Sequence, residues 1–129
     1  MHQILIVDDS ATIRRMVRAS LATLPGPCEF TEAASGLEAI EQLAVGPVAL
    51  IVLDLNMPDM HGLEVLGFVR AHQKYRRLPI IVLTTRGDEA SRAAALSAGA
   101  TAYMTKPFTP MALAAQAREL LGTTTAERS

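Results

Sequence analysis

A single cysteine, Cys28, rules out an internal disulfide. Between Pro27 and Glu29-Phe30, at an expected strand start, it reads as a small buried hydrophobe rather than a reactive thiol. Half of the residues are apolar, yet no apolar run approaches the roughly 18 residues of a membrane span, so the sequence predicts a soluble chain. The opening MHQILIVDD turns acidic after a short apolar run and has no charged n-region or small-residue cleavage site, which predicts a cytoplasmic protein. An excess of one charge is also missing. Twelve Lys and Arg against thirteen Asp and Glu leave a net charge of −1, which excludes a general attraction to nucleic acid or to anionic membranes. No internal repeat, low-complexity tract or interdomain linker divides the 129 residues. A chain of this length buries about two thirds of its unfolded surface as one domain, here expected over residues 1–122, with 123–129 as a polar tail.

Two periodicities alternate along the chain. Residues 3–7 form a continuous apolar strand that ends in Asp8-Asp9, and Ser10 then offers an N-cap. The helix that follows is expected to reach about Leu24. Ile13, Met16, Val17, Leu21 and Leu24 fall on one stripe, Arg14, Arg15 and Arg18 fall largely outside it, and Pro25-Gly26-Pro27 ends it. Residues 28–33 make a second, less apolar strand. Ser35-Gly36-Leu37-Glu38 matches a capping box that opens a helix to about Val45, stopped by Gly46-Pro47. Residues 50–53 run without alternation into Asp54, as a strand buried on both faces does, and Asn56, Pro58, Asp59 and Gly62 turn the chain away at once. A third helix is expected over 62–72, with Leu63, Leu66, Val69 and Arg70 at helical spacing, and a fourth strand over 80–83 ends in Thr84-Thr85. Asp88 can cap a helix to about Ala98 whose buried face is mostly alanine, with Gly99 placed as its left-handed terminator. A fifth strand covers 101–104, Lys106-Pro107 turns the chain, and Thr109-Pro110 supplies the cap and first-turn proline of a last helix to about Leu121.

Five strands alternating with five helices predict an α/β fold, a doubly wound parallel sheet covered on both faces. Five strands favour the flavodoxin-like order 2-1-3-4-5, in which the first and third strands are neighbours at the switch point where ligands bind. There Asp8, Asp9 and Asp54 converge, with Thr84 and Lys106 arriving from the strands on the other side. Three carboxylates repel one another unless a cation or protons neutralise them, and Mg²⁺ suits oxygen ligands: one or two carboxylates, a loop carbonyl and a phosphoryl oxygen would complete its site. A metal beside Asp54 would neutralise an incoming phosphoryl group, while the Thr84 hydroxyl and the Lys106 ammonium bind the remaining oxygens. Asp54 is then left as the nucleophile.

VDDS at 7–10, DLNMPDMHG at 54–62, LTT at 83–85 and AYMTKPFT at 102–109 together resemble the receiver domains of two-component response regulators, of the CheY-like single-domain kind. The resemblance covers residues 3 to about 121. It implies that Asp54 accepts a phosphoryl group from a phosphohistidine on a sensor histidine kinase or a histidine phosphotransfer protein. It further implies that Asp8 or Asp9 and Asp54, with the backbone carbonyl of Asn56, ligate Mg²⁺. Thr84 and Lys106 would bind the acyl phosphate, Tyr103 would be the aromatic switch residue, and the Lys106-Pro107 bond would be cis. Such a domain is a phosphoacceptor that assists its own phosphorylation and dephosphorylation rather than an enzyme in the usual sense. Its expected output face is the fourth helix, fifth strand and last helix, presented to a downstream protein, with chemotaxis or motility control as the implied pathway. It is expected to be a monomer, with dimerisation on phosphorylation as the other state open to it.

Two positions depart from the family pattern. His61 stands where an acidic residue is more usual, expected at a helix start near solvent, and Thr85 stands where a smaller residue is usual, crowding the movement of Thr84. Arg86, two residues beyond Thr84, is within reach of the pocket mouth. Arg70, Lys74, Arg76 and Arg77 read as a solvated helix end, and Met57 and Met60 as packing for the loop. Two alternatives share parts of the pattern. A haloacid-dehalogenase-like phosphatase also uses an aspartyl nucleophile after an apolar strand, but needs an acid two residues on, where this chain has Asn56; without it an acyl phosphate is a stored signal. A flavodoxin-like cofactor protein needs hydroxyl- and glycine-rich loops around a phosphate, whereas Asp8-Asp9 would repel an anion in the absence of metal and no G-x-G-x-x-G follows any strand.

Overall fold

A computed structural model of the chain describes residues 2–128, with side chains to residue 122, so the polar tail expected at 123–129 lies outside the fully described residues. Strands and helices alternate throughout: β1 (His2–Val7), α1 (Ala11–Leu21), β2 (Cys28–Ala33), α2 (Gly36–Val45), β3 (Leu50–Leu53), α3 (Gly62–Ala71), β4 (Ile80–Thr84), α4 (Glu89–Ala98), β5 (Ala102–Thr105) and α5 (Pro110–Arg128). All strand pairs are parallel, and the sheet order is β2-β1-β3-β4-β5, as the element pattern predicted.

The unbroken apolar runs are explained by two cores, one on each face of the sheet. Leu5, Val7, Ile51, Leu53, Ile80 and Val82 point to one face, against Leu43 of α2, Val65, Leu66 and Val69 of α3 and Ala95 of α4. Their sequence neighbours Ile4, Ile6, Leu50, Val52, Ile81 and Leu83 point to the other, against Val17 and Leu21 of α1 and Leu113 and Ala117 of α5. Each such aliphatic side chain contributes about 1.5–3 kcal/mol of burial, which fixes the strand register, since a slip by one residue would exchange the two cores.

The caps fall where the sequence placed them. Ser10 accepts from the Ile13 N–H, Ser35 from Glu38, Asp88 from Ser91 and Thr109 from Ala112. Gly99, at φ 115°, ends α4 in the left-handed region. Several boundaries differ from expectation, among them the end of α5, which runs on to Arg128 rather than stopping near Leu121. α1 stops at Leu21 rather than near Leu24; the Leu24 N–H bonds the Leu21 carbonyl in a turn, and Leu24 remains buried from there, which is why the apolar stripe outruns the helix. α3 stops at Ala71, and residues 73–75 form a short 3₁₀ turn that buries Tyr75. β5 starts one residue late, because the Thr101 hydroxyl is taken up by the Ile80 N–H and the Arg70 guanidinium.

Arg70 is a correction of substance. It is not part of a solvated helix end: its Nε donates to the Gly99 carbonyl at 2.9 Å and its Nη1 to the Tyr75 carbonyl at 3.1 Å, and burial lowers its pKa. Lys74, Arg76 and Arg77 are exposed, as expected. Met57 and Met60 pack against the core from the loop after β3, also as expected, and Cys28 is half-buried, its thiol pKa pushed up mainly by burial.

Candidate functional site

The adjacent strands β1 and β3 end side by side, with Val7 opposite Leu53, so the residues that follow them meet at one edge of the sheet. The Asp54 N–H donates to the Val7 carbonyl at 2.9 Å, which continues the ladder one step and fixes Asp54 beside Asp8. Every polar group of Asp8 is engaged. Its N–H donates to the Ala33 carbonyl at 3.1 Å, and its own carbonyl accepts from Arg14 Nη1 at 2.6 Å. Its Oδ1 accepts from the Ser10 N–H at 2.9 Å, and its Oδ2 from Lys106 Nζ at 2.7 Å.

Lys106 arrives from the far side of the sheet. Its N–H donates to the Thr84 carbonyl at 2.7 Å, extending the β4–β5 ladder, and the Lys106-Pro107 bond that follows is cis, as the family resemblance implied. From there Nζ also lies 3.7 Å from Asp54 Oδ1. One oxygen from each of Asp8, Asp9 and Asp54 lies within 4.8 Å of the others. Asp8 and Asp54 are only 3% and 5% exposed, whereas Asp9 is exposed, so the cluster is walled on two sides and open on one.

Electrostatics follow from that geometry. Burial, the largest effect, pushes the Asp54 carboxyl above the ordinary carboxylate range; Lys106 opposes the shift, Asp8 and then Asp9 reinforce it, and the Asn56 N–H at the carboxylate moderates it. A group of three carboxylates with one ammonium among them carries surplus negative charge that a cation would relieve. Oxygen-only donors suit a hard divalent ion, so the residues present fit Mg²⁺. Asn56 itself is exposed on the loop after Asp54.

Thr84 is fully buried at the end of β4, its hydroxyl oxygen facing the Arg86 N–H at 3.4 Å, and Thr85 is exposed. Arg86 is turned to the cap of α4, with Nε donating to Ser91 Oγ at 3.2 Å and lying 4.0 Å from Asp88. Tyr103 is half-buried against the core, and its hydroxyl donates to the Arg86 carbonyl. Thus Asp8, Asp9, Asp54 and Lys106 are drawn into one cluster, while Thr84 and Tyr103 flank it through the turn at Arg86. His61 lies exposed at the N-terminus of α3, where its Nδ1 accepts from the Leu63 N–H at 3.1 Å, a capping role that matches its expected place.

Two contacts escaped the sequence. Arg14, placed by periodicity outside the apolar stripe of α1, reaches back to the Asp8 carbonyl and pairs with Glu32 at 2.9 Å. Asp59, read as a turn residue, accepts from the Gly36 and Leu37 N–H groups at 3.1 and 3.0 Å and so pins the loop after Asp54 to the start of α2. A carboxylate within reach of uncapped helix N–H groups is a weak signal when the two are 23 residues apart. Neither partner pair is periodic.

Residues 4–118 match the family model for the response regulator receiver domain. A chemotaxis protein CheY homolog of Campylobacter jejuni is 42% identical over 126 residues, covering 97% of this chain and 96% of the homolog. Among solved structures, the chemotaxis response regulator CheY4 of Vibrio cholerae superposes with a TM-score of 0.84 at 34% identity, covering 93% of this chain and 98% of that one. The Mn²⁺-bound form of response regulator Rcp1 superposes with a TM-score of 0.78 at 29% identity, covering 93% and 91%.

Proposed function

The chain belongs to the response regulator receiver domain family, of the CheY type, and on that footing we propose that Asp54 is its phosphoacceptor, within a receiver domain spanning residues 1–122. The observation that carries this is the position of Asp54: buried at the end of β3, 3.7 Å from Lys106 and in the same cluster as Asp8 and Asp9. An Asp54 oxygen attacks the phosphorus of a phosphohistidine on a sensor histidine kinase or a histidine phosphotransfer protein. The O–P bond forms as the P–N bond breaks, and the bonding pair leaves with the imidazole nitrogen, which takes a proton from solvent. The nucleophile must be ionised, and Lys106 favours that state against the pull of burial.

Asp8 or Asp9, Asp54 and the backbone carbonyl of Asn56 would hold Mg²⁺, which supplies neutralisation of the charge on the phosphoryl oxygens. That the similar response regulator Rcp1 has a Mn²⁺-bound form supports a divalent ion for this chain. Lys106 would move from Asp8 onto a phosphoryl oxygen, and the Thr84 hydroxyl would donate to another. With Asn56 two residues on, where a phosphatase of this kind has an acid–base carboxyl, no side chain at that position drives turnover, so the acyl phosphate persists as a signal; loss of the phosphoryl group to water returns the domain to its resting state. The partner surface proposed is the α4, β5 and α5 face, presented by a cytoplasmic monomer to a downstream protein of a chemotaxis or motility pathway.

Incubation with acetyl phosphate and Mg²⁺ should add one phosphoryl group by mass spectrometry, and Asp54→Asn should abolish it. Labelling that persists in the variant on another aspartate would overturn the assignment.

A further inference from the structure

We propose that Arg14 is a positioning residue of the acidic pocket, holding the turn between β1 and α1 so that Asp8 and Asp9 present their carboxylates to a divalent cation; this presupposes the metal site proposed above. Arg14 sits in the first turn of α1 with its side chain only 15% exposed. Its Nη1 donates to the Asp8 carbonyl at 2.6 Å, and its Nε donates to Glu32 Oε1, on β2, at 2.9 Å. Glu32 is fixed in turn by Arg18, whose Nη1 reaches Oε2 at 3.1 Å, and the hydrogen bond from Arg14 is the main reason its carboxyl stays below the ordinary range. Arg14 therefore bridges a braced anion on β2 to the main chain of the pocket.

The carbonyl it holds belongs to the Asp8–Asp9 peptide. Asp8 is further fixed by Ser10, Ala33 and Lys106, but the Asp9 side chain is exposed and has no hydrogen bond or ion pair among the described residues. The direction in which Asp9 leaves the chain is set by the peptide plane before it, and the charge-assisted bond from Arg14 is what fixes that plane. Outer partners that orient metal ligands commonly raise affinity about 10–100-fold. A guanidinium acting only as a charge would do the opposite, since it repels a cation. The two roles thus differ in sign.

Mg²⁺ binding to the full chain would be followed by calorimetry for wild type, Arg14→Met, Arg14→Lys and Arg18→Met, with amide exchange at Ser10 measured in the metal-free proteins. Arg14→Met should weaken Mg²⁺ about tenfold and speed Ser10 exchange, Arg14→Lys should fall between it and wild type, and Arg18→Met, which loses the bond to Glu32 and the contact with the Phe30 ring but nothing in the pocket, should stay within about twofold of wild type. Unchanged or tighter Mg²⁺ binding by Arg14→Met overturns the proposal. An equal loss in Arg18→Met also overturns it, since general loosening of α1 would then suffice. If wild type itself binds no Mg²⁺, the metal site falls, and the positioning role falls with it.

Discussion

Asp54→Asn should make the metal-free protein more stable at neutral pH. The Asp54 carboxylate is 5% exposed, and the Asp8 carboxylate, 3% exposed, has an oxygen within 4.8 Å of it. At an effective dielectric constant of about 20, unit charges at that separation repel by about 3.5 kcal/mol. Lys106, 3.7 Å away, returns about 4.5 kcal/mol on the same scale, but its Nζ is closer to Asp8, at 2.7 Å, and serves both anions. The pair interactions therefore nearly cancel, and the uncompensated part is the desolvation of the Asp54 charge, on the order of 2 kcal/mol after relaxation. Asparagine keeps the shape and removes that charge. For a chain of this size the gain corresponds to a rise in Tm of roughly 5–10 °C.

The pH dependence has a definite sign. Burial raises the folded-state pKa of Asp54 above its unfolded value of about 3.9, so within that window the native state holds more protons than the unfolded chain. Wild-type stability from this group is greatest below the window and is lost as pH rises through it. The advantage of asparagine is thus full at neutral pH and fades towards pH 4. Urea melts of both proteins in a chelator at pH 7.5 and pH 4 would measure it, and Mg²⁺ should narrow the gap at pH 7.5 by neutralising the wild-type pocket. An Asn variant no more stable than wild type at pH 7.5, or one whose advantage grows on acidification, would refute the electrostatic account of the pocket.

Gly62→Ala should destabilise by about 2 kcal/mol in denaturant melts, because the new Cβ would lie 2.6 Å from both the Asp54 carbonyl oxygen and Leu55 Cα, backbone atoms that cannot yield locally; a neutral result would mean that the loop after β3 is softer than its packing implies. Arg70→Met should cost about 2 kcal/mol through loss of the charge-assisted bonds to Gly99 and Tyr75, against near-neutral changes for Arg76→Met and Arg77→Met, and equal effects for all three would refute the distinction. Arg86→Ala should shorten the lifetime of the acyl phosphate if the side chain leaves Ser91 for the phosphoryl group, and an unchanged dephosphorylation rate would keep it at the cap of α4. Beryllium fluoride with Mg²⁺ should shift amide resonances across residues 88–108 in wild type and leave them in place in Thr84→Ala; shifts confined to the acidic pocket in wild type would end the proposed coupling.

Most of the fold and the central cluster was legible because it depends on signals that are local or additive. Unbroken apolar runs such as 50–53 report burial on both faces, single caps such as Asp88 report helix starts, and acidic residues directly after two neighbouring strands must meet once the strand order is known. What stayed hidden depends on pairs distant in sequence. Arg14 and Arg70 have the same composition and spacing as solvated arginines; only the tertiary placement of the Asp8 and Gly99 carbonyls gives them partners. Periodicity overruns the ends of α1 and α3 for a related reason. Leu24 belongs to the same apolar stripe as Leu21 and is equally needed by the core, but it reaches that core from a turn, and periodicity alone does not distinguish the two.

The two ends of α4 are held very differently, and that asymmetry bears on how a change at Asp54 would leave the pocket. At the C-terminal end, Ala100 and Gly99 N–H groups close the helix onto the Ala95 and Leu96 carbonyls, and the Arg70 stem covers Gly99 so closely that a Cβ there would come within 2.6 Å of Arg70 Cγ. At the N-terminal end, Asp88, Glu89 and Ala90 are exposed, and a cleft of about 280 Å³ separates His61 and Leu63 from Arg86, Ala90, Ser91 and Ala94. Ala95 is the one fully buried residue of the helix, so little apolar area opposes movement of its first turns. Those turns connect to the pocket through Arg86, whose N–H faces the Thr84 hydroxyl, whose carbonyl accepts from Tyr103 and whose guanidinium meets Ser91. A Thr84 hydroxyl drawn to a phosphoryl oxygen would give up the Arg86 N–H and release the turn that also holds Tyr103. The expected motion is accordingly a swing of the N-terminal half of α4 about a fixed Gly99, together with the Tyr103 ring, rather than a displacement of the whole helix.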